Sequence, residues 1–547
     1  MNRRQAIDIG WLFCFALASS VWCWSAAAHL GATFDEPTYL RCGLEHWHTG
    51  SYKQLMRLGT MPLAVDLQTL PVYLWEKWRG NPVPFDDALR SARAATLLFW
   101  WVLLIYTWRA GRTIAGSWGG RIAVALLACE PVLLGHSALA TSDIAVAACL
   151  LVLVIEFRAG RNSKWPRRLL LPAILYGIAI LAKASALVFG PFFLLTLEAE
   201  RLWGIRDHPI SRENIRRSLL DLLVIGAGGL AFTFLYCGSD WTTERTFIEW
   251  AQTVPPGKFH DLMLWTAEHL RIFTNAGEGL AQQIKHNIRG HGTFILGHDY
   301  PRAVWFYFPV ALTIKTTLSL LSLPLVILAI HRAALRNWAC ILAAVLLVYS
   351  LTCRVQIGVR FMFPLIVFLC IGLGGAAVIT WRQLVGWKQI ALTIWLVVAI
   401  SSAAFSAIQV WPHGICYTNP AWGGTANGYR LLSDSNYDWG QGLPDLQTWL
   451  RQRDVGELNV WYFGTDPSVL LPPLKELPLH RPETGKVSDA VKDKIVAVST
   501  TLLYGSYTNR TPARDAVAFF HSRQPFDRTT TFLIYDFRSS PPAEVNR

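Results

Sequence analysis

The chain has 547 residues, of which 52% are hydrophobic and only 16% charged, with 25 Trp and a formal net charge of +13. That balance excludes an ordinary soluble enzyme and a disordered polyelectrolyte, and it fits a polytopic α-helical membrane protein with indole rings at both bilayer interfaces. The positive charge calls for no nucleic-acid partner: much of it falls in short stretches between apolar runs, and nowhere do aromatic and basic residues interleave on a soluble domain.

About eleven apolar runs approach the roughly 20 residues that a helix needs to cross the hydrocarbon core. They lie near 9–30, 94–109, 119–134, 140–157, 169–182, 184–198, 218–237, 304–330, 338–353, 361–380 and 389–410. Basic residues mark alternate connections. Arg3 and Arg4 precede the first run, and Arg109 and Arg112 follow the second. Arg158, Arg161, Lys164, Arg167 and Arg168 follow the fourth; Arg201, Arg206, Arg212, Arg216 and Arg217 follow the sixth; Arg332, Arg336, Arg382 and Lys388 complete the side. Cytoplasmic loops hold the excess of Lys and Arg, so the N-terminus is expected in the cytoplasm of a plasma-membrane protein. The segments 31–93 and 238–303, and everything after about 411, then face outward. The first run is longer than a signal-peptide core and reads as an uncleaved anchor. The ten Cys show no Cys-x-x-Cys or zinc-like spacing and read as small apolar residues.

In chain order, the first polar feature is Asp35-Glu36, two adjacent acids just beyond the first run. Carboxylates are costly beside hydrocarbon, so this pair points to function. In 31–93, Trp47, Trp75 and Trp78 mix with Pro62, Pro71, Pro82 and Pro84, which predicts short interfacial helices broken by turns. His46 and His48 stand two apart, a spacing that puts them on nearly opposite faces of a helix, a poor start for zinc. Asp143 stands at the outer end of the fourth run, where capping the helix is its plainest alternative role. Lys183, Lys315 and Arg360 also stand at outer ends, against the usual sign preference; each has either a fixed anionic partner or a lipid headgroup to reach. In 238–303, Leu262, Trp265, His269, Leu270 and Phe273 recur at helical spacing and predict a helix lying on the bilayer surface.

The tail is polar enough for a small outer α/β domain. Strands are predicted at 458–463, 494–500 and 530–537, and a helix at 444–450. Asp434, Asn436, Asp438 and Asp445 are spaced somewhat like a calcium loop, but the glycine comes one place late and the final acid is the short one, so a structural turn is the better reading.

Six motifs, in one order, carry a resemblance. They are the Asp35-Glu36 pair, HSALATSD at 136–143, GIAILAKAS at 177–185, HGTFILG at 291–297, YFPVALTIKT at 307–316 and GVRFMFPL at 358–365. Together they resemble the polyprenyl-phosphate-sugar-dependent glycosyltransferases of the GT-C membrane fold, in particular bacterial relatives of the protein O-mannosyltransferases and, more distantly, the lipid A aminoarabinose transferases. NGYRLLSDSNYDWGQ at 427–441 is similar to a segment that follows the last span in some bacterial members. The resemblance implies a GT-C catalytic domain over 1–410 and an extracytoplasmic domain over 411–547. It implies transfer of a sugar from a polyprenyl phosphate to a hydroxyl of a protein, lipid or glycan.

It further implies Asp35 as general base, Glu36 as its orienter or the acceptor's, and Asp143 as a second acid that holds a metal, a base or a sugar hydroxyl. Lys183, Lys315 and Arg360 are implied as cations for the departing phosphate, Arg by a bidentate grip and Lys as a point charge. A divalent metal stays open. Many relatives carry a basic residue before Pro-Pro-Leu in the first outer loop; here Thr60-Met61-Pro62-Leu63 lacks it, with Lys53 and Arg57 upstream and Asp66 downstream. Two other readings stand beside the enzyme: a multi-pass transporter or flippase, against which the absence of repeated halves argues, and a member that has lost catalysis.

Overall fold

The computed structural model describes residues 3–204, 212–479, 486–505 and 513–538. Arg206, counted in the charge alternation, lies outside the described residues. After α1 (Arg3–His29) the chain makes α2 (Glu36–Thr49), α3 (Lys53–Arg57) and α4 (Pro62–Arg79), which lead into the long α5 (Phe85–Ala115). Next come α6 (Ser117–Ala128), α7 (Pro131–Ser137), α8 (Asp143–Gly160), α9 (Leu171–Ala182), α10 (Ala186–Gly204) and α11 (Arg212–Cys237). The second large outer segment folds as α12 (Arg245–Gln252), α13 (Lys258–His269) and α14 (Thr274–Arg289), then the hairpin β1 (Thr293–Ile295) and β2 (His298–Tyr300). The helical part closes with α15 (Tyr307–Lys315), α16 (Leu318–His331), α17 (Trp338–Ser350), α18 (Phe363–Gln383) and α19 (Trp387–Gln409).

Among the described residues, six helices are long and apolar enough to cross a membrane, seven if α6 and α7, bent by 70°, count as one span. Each of the eleven apolar runs contains helix, and the shortfall has a chemical cause. Helix α8 carries Asp143, Glu156 and Arg158, while α10 carries Glu198, Glu200 and Arg201. Several of these charges are paired: Glu156 with Arg109 at 2.9 Å, Glu198 with Arg201 at 2.8 Å. Helices α9 and α17 have only 12 and 13 residues, and the run at 304–330 breaks at Thr316 and Thr317 between α15 and α16.

The centre of the bundle is α18 packed with α8, α5 and α6. Helix α8 is apolar all round over its middle turns, the pattern of a helix enclosed on every side. Close approach of α18 to α6 requires glycine: a Cβ on Gly374 would stand 2.7 Å from the backbone nitrogen of Ala123. Helix α13 leaves Phe259, Leu262 and Trp265 exposed, the amphipathic face expected at 238–303.

Beyond α20 (Leu443–Arg453) lies a five-stranded sheet of β3 (Leu458–Trp461), β4 (Leu474–Glu476), β5 (Ile495–Ser499), β6 (Asp527–Arg528) and β7 (Phe532–Asp536). The order is β4-β3-β5-β7-β6, with β3 parallel to β4 and β5, and β7 antiparallel to β5 and β6. Its three central strands, β3, β5 and β7, are almost wholly buried because apolar clusters cover both faces. Residues 411–442 interleave with the helices. Asn419 donates to the free carbonyls of Thr313 and Thr316 at the end of α15, groups that a broken helix would otherwise leave unpaired.

Candidate active site

Asp35 is the N-cap of α2 and Glu36 its first residue, with Pro37 fixing the entry. Neighbours at a helix start point about 100° apart, and these two acids enter different surroundings. Glu36 is fully buried. Its carboxylate takes Arg93 Nε at 2.8 Å and Nη2 at 2.7 Å, and the backbone N–H groups of Thr33 at 2.8 Å and Ala140 at 2.7 Å. Arg93 in turn donates to the carbonyls of Ala27, Leu30 and Gly31. Burial alone would raise the Glu36 pKa; the Arg93 charge and the N–H donors outweigh it and hold the carboxyl below its ordinary value.

Asp35 faces an opening, with 27% of its side chain exposed. Its Oδ2 lies 3.4 Å from Arg360 Nη1 and 3.4 Å from the Tyr39 hydroxyl. The same Arg360 nitrogen lies 3.4 Å from Asp143 Oδ2, while Lys183 donates to Asp143 Oδ1. Asp143 begins α8 and is 1% exposed, so it reaches neither solvent nor a substrate directly. Lys183 occupies the extended break between α9 and α10, and Arg360 the 3-10 turn Val359–Met362 that starts α18. Both cations flank one ring: Phe361 lies 4.5 Å from Lys183 Nζ and 5.5 Å from the Arg360 guanidinium.

These groups open on a cavity of about 420 Å³. Its lining mixes the polar side chains of Asp35, Tyr39, Arg57, Thr60, Lys183 and Arg360 with the apolar ones of Leu187, Val188, Phe189, Phe308, Tyr349 and Phe361, and α14 adds Gln282, Gln283, Lys285, His286 and Arg289. The structure thus brings together Asp35, Lys183 and Arg360, with Asp143 directly behind the two cations. It does not bring Glu36 or Lys315 to the cavity. Glu36 is saturated by Arg93 and backbone donors. Lys315, at the end of α15, spends its ammonium on the carbonyls of Ile415 and Asn436, each at 2.6 Å.

Sequence reasoning passed over Tyr39 and Trp439, and it left Arg57 undecided. Arg57 and Thr60 both line the cavity, so a cation is present on the wall where the basic residue before Pro-Pro-Leu is missing. Trp439 puts its ring 4.1 Å from the Arg360 guanidinium; the only signal for it was its place in the 427–441 motif.

The side chains do not fit a bound metal. Among the described residues no group of three or more His, Cys, Asp or Glu is gathered for one, and Asp35 and Asp143 share Arg360 between them. His48 binds Glu76 at 2.9 Å while His46 stacks on Tyr52. The calcium-like spacing also disperses. Asn436 donates to Tyr307 at 2.9 Å and accepts from Val359 N at 2.9 Å, Asp438 accepts from Thr501 N at 3.2 Å, and Asp445 meets His413 at 3.1 Å. Burial pushes Asp434 up to about 6 and Asp438 up to about 7.

Residues 71–209 match the family model of the dolichyl-phosphate-mannose-protein mannosyltransferases. The matched stretch holds Asp143 and Lys183 and leaves Asp35 and Arg360 outside. No curated protein matches the chain. Among solved structures, ArnT from Cupriavidus metallidurans bound to undecaprenyl phosphate aligns over 98% of this chain and 99% of its own, at 14% identity and a TM-score of 0.47. The archaeal oligosaccharyltransferase AglB from Archaeoglobus fulgidus, in complex with an inhibitory peptide and a dolichol-phosphate, aligns over 98% and 75%, at 10% identity and 0.47. The arabinofuranosyltransferase AftD from Mycobacteria aligns over 91% and 35%, at 14% and 0.39.

Proposed function

We propose that the protein is a membrane glycosyltransferase that moves a sugar from a polyprenyl-phosphate donor to a hydroxyl of a protein, lipid or glycan on the outer face of the plasma membrane. The observation that carries this reading is the mixed lining of one cavity: the carboxylate of Asp35 stands with the cations Lys183 and Arg360, and aliphatic and aromatic side chains line the same space. Asp35 is the only acid of the cluster with access to a ligand, and it takes the proton from the acceptor hydroxyl. The acceptor oxygen then bonds to the anomeric carbon as the bond to phosphate breaks. The electron pair leaves with the phosphate, where Arg360 and Lys183 meet the growing charge. Asp143 supplies a buried counter-charge to both cations. The isoprenoid tail lies along Leu187, Val188, Phe189 and Tyr349, and Arg57 offers a further positive group at the mouth.

On this reading Glu36 and Lys315 are structural. The N-terminus is cytoplasmic, 1–410 form the catalytic domain, and 411–547 an extracytoplasmic domain. Mannose is the first donor sugar to test, because the matched family is named for it. Purified protein in lipid nanodiscs, given a panel of polyprenyl-phosphate hexoses and pentoses with cell-envelope acceptors, is expected to release polyprenyl phosphate with one of them. Folded protein that releases none across the panel would overturn the reading.

A further inference from the structure

The segment 434–441 touches both halves of the proposed catalytic pair. On one side it holds the loop that carries Asp35. Phe34 N donates to the carbonyl of Trp439 at 2.8 Å, and Gly31 N to that of Gln441 at 2.9 Å. The Phe34 carbonyl is taken by Thr465 Oγ1 at 2.7 Å, so Phe34, the residue before Asp35, is tied at both its backbone polar groups to the C-terminal layer. On the other side the segment holds the turn that carries Arg360: Ser435 Oγ donates to Ile357 O at 2.6 Å, and Val359 N to Asn436 Oδ1 at 2.9 Å. The backbone of Trp439 is itself fixed from within, its main-chain N–H on Gln441 Oε1 at 2.8 Å and the Gln441 side-chain amide on Tyr437 O at 2.8 Å.

Arg360 is poorly held by anything else. Its contacts with Asp35 and Asp143 are at 3.4 Å, near the limit of a hydrogen bond, and its buried Nε finds no partner among the described residues. What it does meet is the buried indole of Trp439, with the guanidinium carbon over the ring 4.1 Å from its centroid.

We infer that Trp439 is a positioning residue for the transfer proposed above: its ring holds the Arg360 guanidinium off the two carboxylates, while its carbonyl sets the loop of Asp35. Without the ring, Arg360 swings into close ion pairs, the base is tied up, and the phosphate loses its cation. A nearer guanidinium stabilises the charged carboxylate, so the acid limb of the pH–rate profile moves to lower pH. A tryptophan that only fills space has no such effect.

The test compares Trp439→Phe, Trp439→Leu, Arg360→Lys and the double variant Trp439→Leu/Arg360→Lys, in the full chain, per amount of folded protein. Trp461→Leu, in the sheet core, serves as the control for lost packing. Trp439→Leu is expected to lower kcat for polyprenyl-phosphate release about tenfold, with donor KM nearly unchanged and the acid limb moved down. Trp439→Phe, which keeps an aromatic face, is expected to recover most of the rate. The double variant is expected to be little worse than Arg360→Lys alone. Wild-type kcat in Trp439→Leu, an unmoved acid limb, or effects that simply multiply would overturn the inference. It rests on the proposed function but fails separately from it. Should wild-type protein release nothing, the readout becomes thermal stabilisation by polyprenyl phosphate, which Trp439→Leu must weaken more than Trp461→Leu does; equal weakening removes the role.

Discussion

Two adjacent acids at the start of α2 share a backbone and almost nothing else. The surroundings of Glu36 are closed and saturated, with the Arg93 guanidinium and two backbone N–H groups on a carboxylate that water does not reach. The surroundings of Asp35 are open and loose, with contacts at 3.4 Å on a side chain that is 27% exposed. A buried ion pair satisfied on every side fixes a fold, whereas a carboxylate with long contacts and an accessible edge still has lone pairs to offer. Position in the sequence does not separate the two; the direction of each side chain from the helix start does.

The sharpest way to break this contrast is to neutralise each acid in turn. Asp35→Asn is expected to lower turnover by about two to four orders of magnitude through loss of the proton acceptor, with the thermal midpoint kept. Unchanged polyprenyl-phosphate release in that variant would return Asp35 to a structural role. Glu36→Gln is expected to do the reverse, because it leaves Arg93 buried without a counter-charge. The cost is about 3–5 kcal/mol of stability, seen as a lower midpoint and poorer yield, while the folded fraction keeps activity. A Glu36→Gln protein as stable as wild type would dissolve the comparison.

Substitutions at Arg360 sharpen it from the cation's side. Turnover at saturating donor is expected to fall in the order Arg, Lys, Gln, with Gln down by about 10²–10³, because the charge it meets grows as the glycosidic bond breaks. Equal rates for all three would take Arg360 out of the reaction. Half-buried Asp434, which feels the Arg360 charge, gives the smallest effect. Its pKa is raised from 3.8 to about 6, so the native state keeps a proton that the unfolded chain has lost. That contribution to stability is complete below about pH 4 and disappears as pH rises through 6, at most about 3 kcal/mol. Asp434→Asn is expected to flatten the fall of the thermal midpoint between pH 4 and 7; an unaltered slope would show that Asp434 is ionised throughout.

Much of this arrangement was legible in the sequence, for reasons that can be named. Apolar runs and unusual charge placement report local chemistry, so the helices, the strands β3, β5 and β7 and the trio Asp35, Lys183 and Arg360 could be read before any coordinates. Lys315 could not be separated from Lys183 in this way. Both end a helix, and only the carbonyls of Ile415 and Asn436, supplied from about a hundred residues downstream, decide that Lys315 is consumed. Trp439 was invisible as a site residue for the same reason: its partners Phe34 and Arg360 lie far upstream of it, from two separate parts of the chain. Spacing carries no record of contacts made at such range.

The pairing of residues 31–34 with 439–441 also has a consequence for how the protein is made. A ribosome delivers the Asp35 loop early and the strand of backbone that holds it more than four hundred residues later. Until then the nascent bundle has its base and its cations but nothing to keep them apart. On the proposed function, a chain whose synthesis stops within the last helix therefore lacks the segment that sets Asp35 and Arg360, and is expected to be idle.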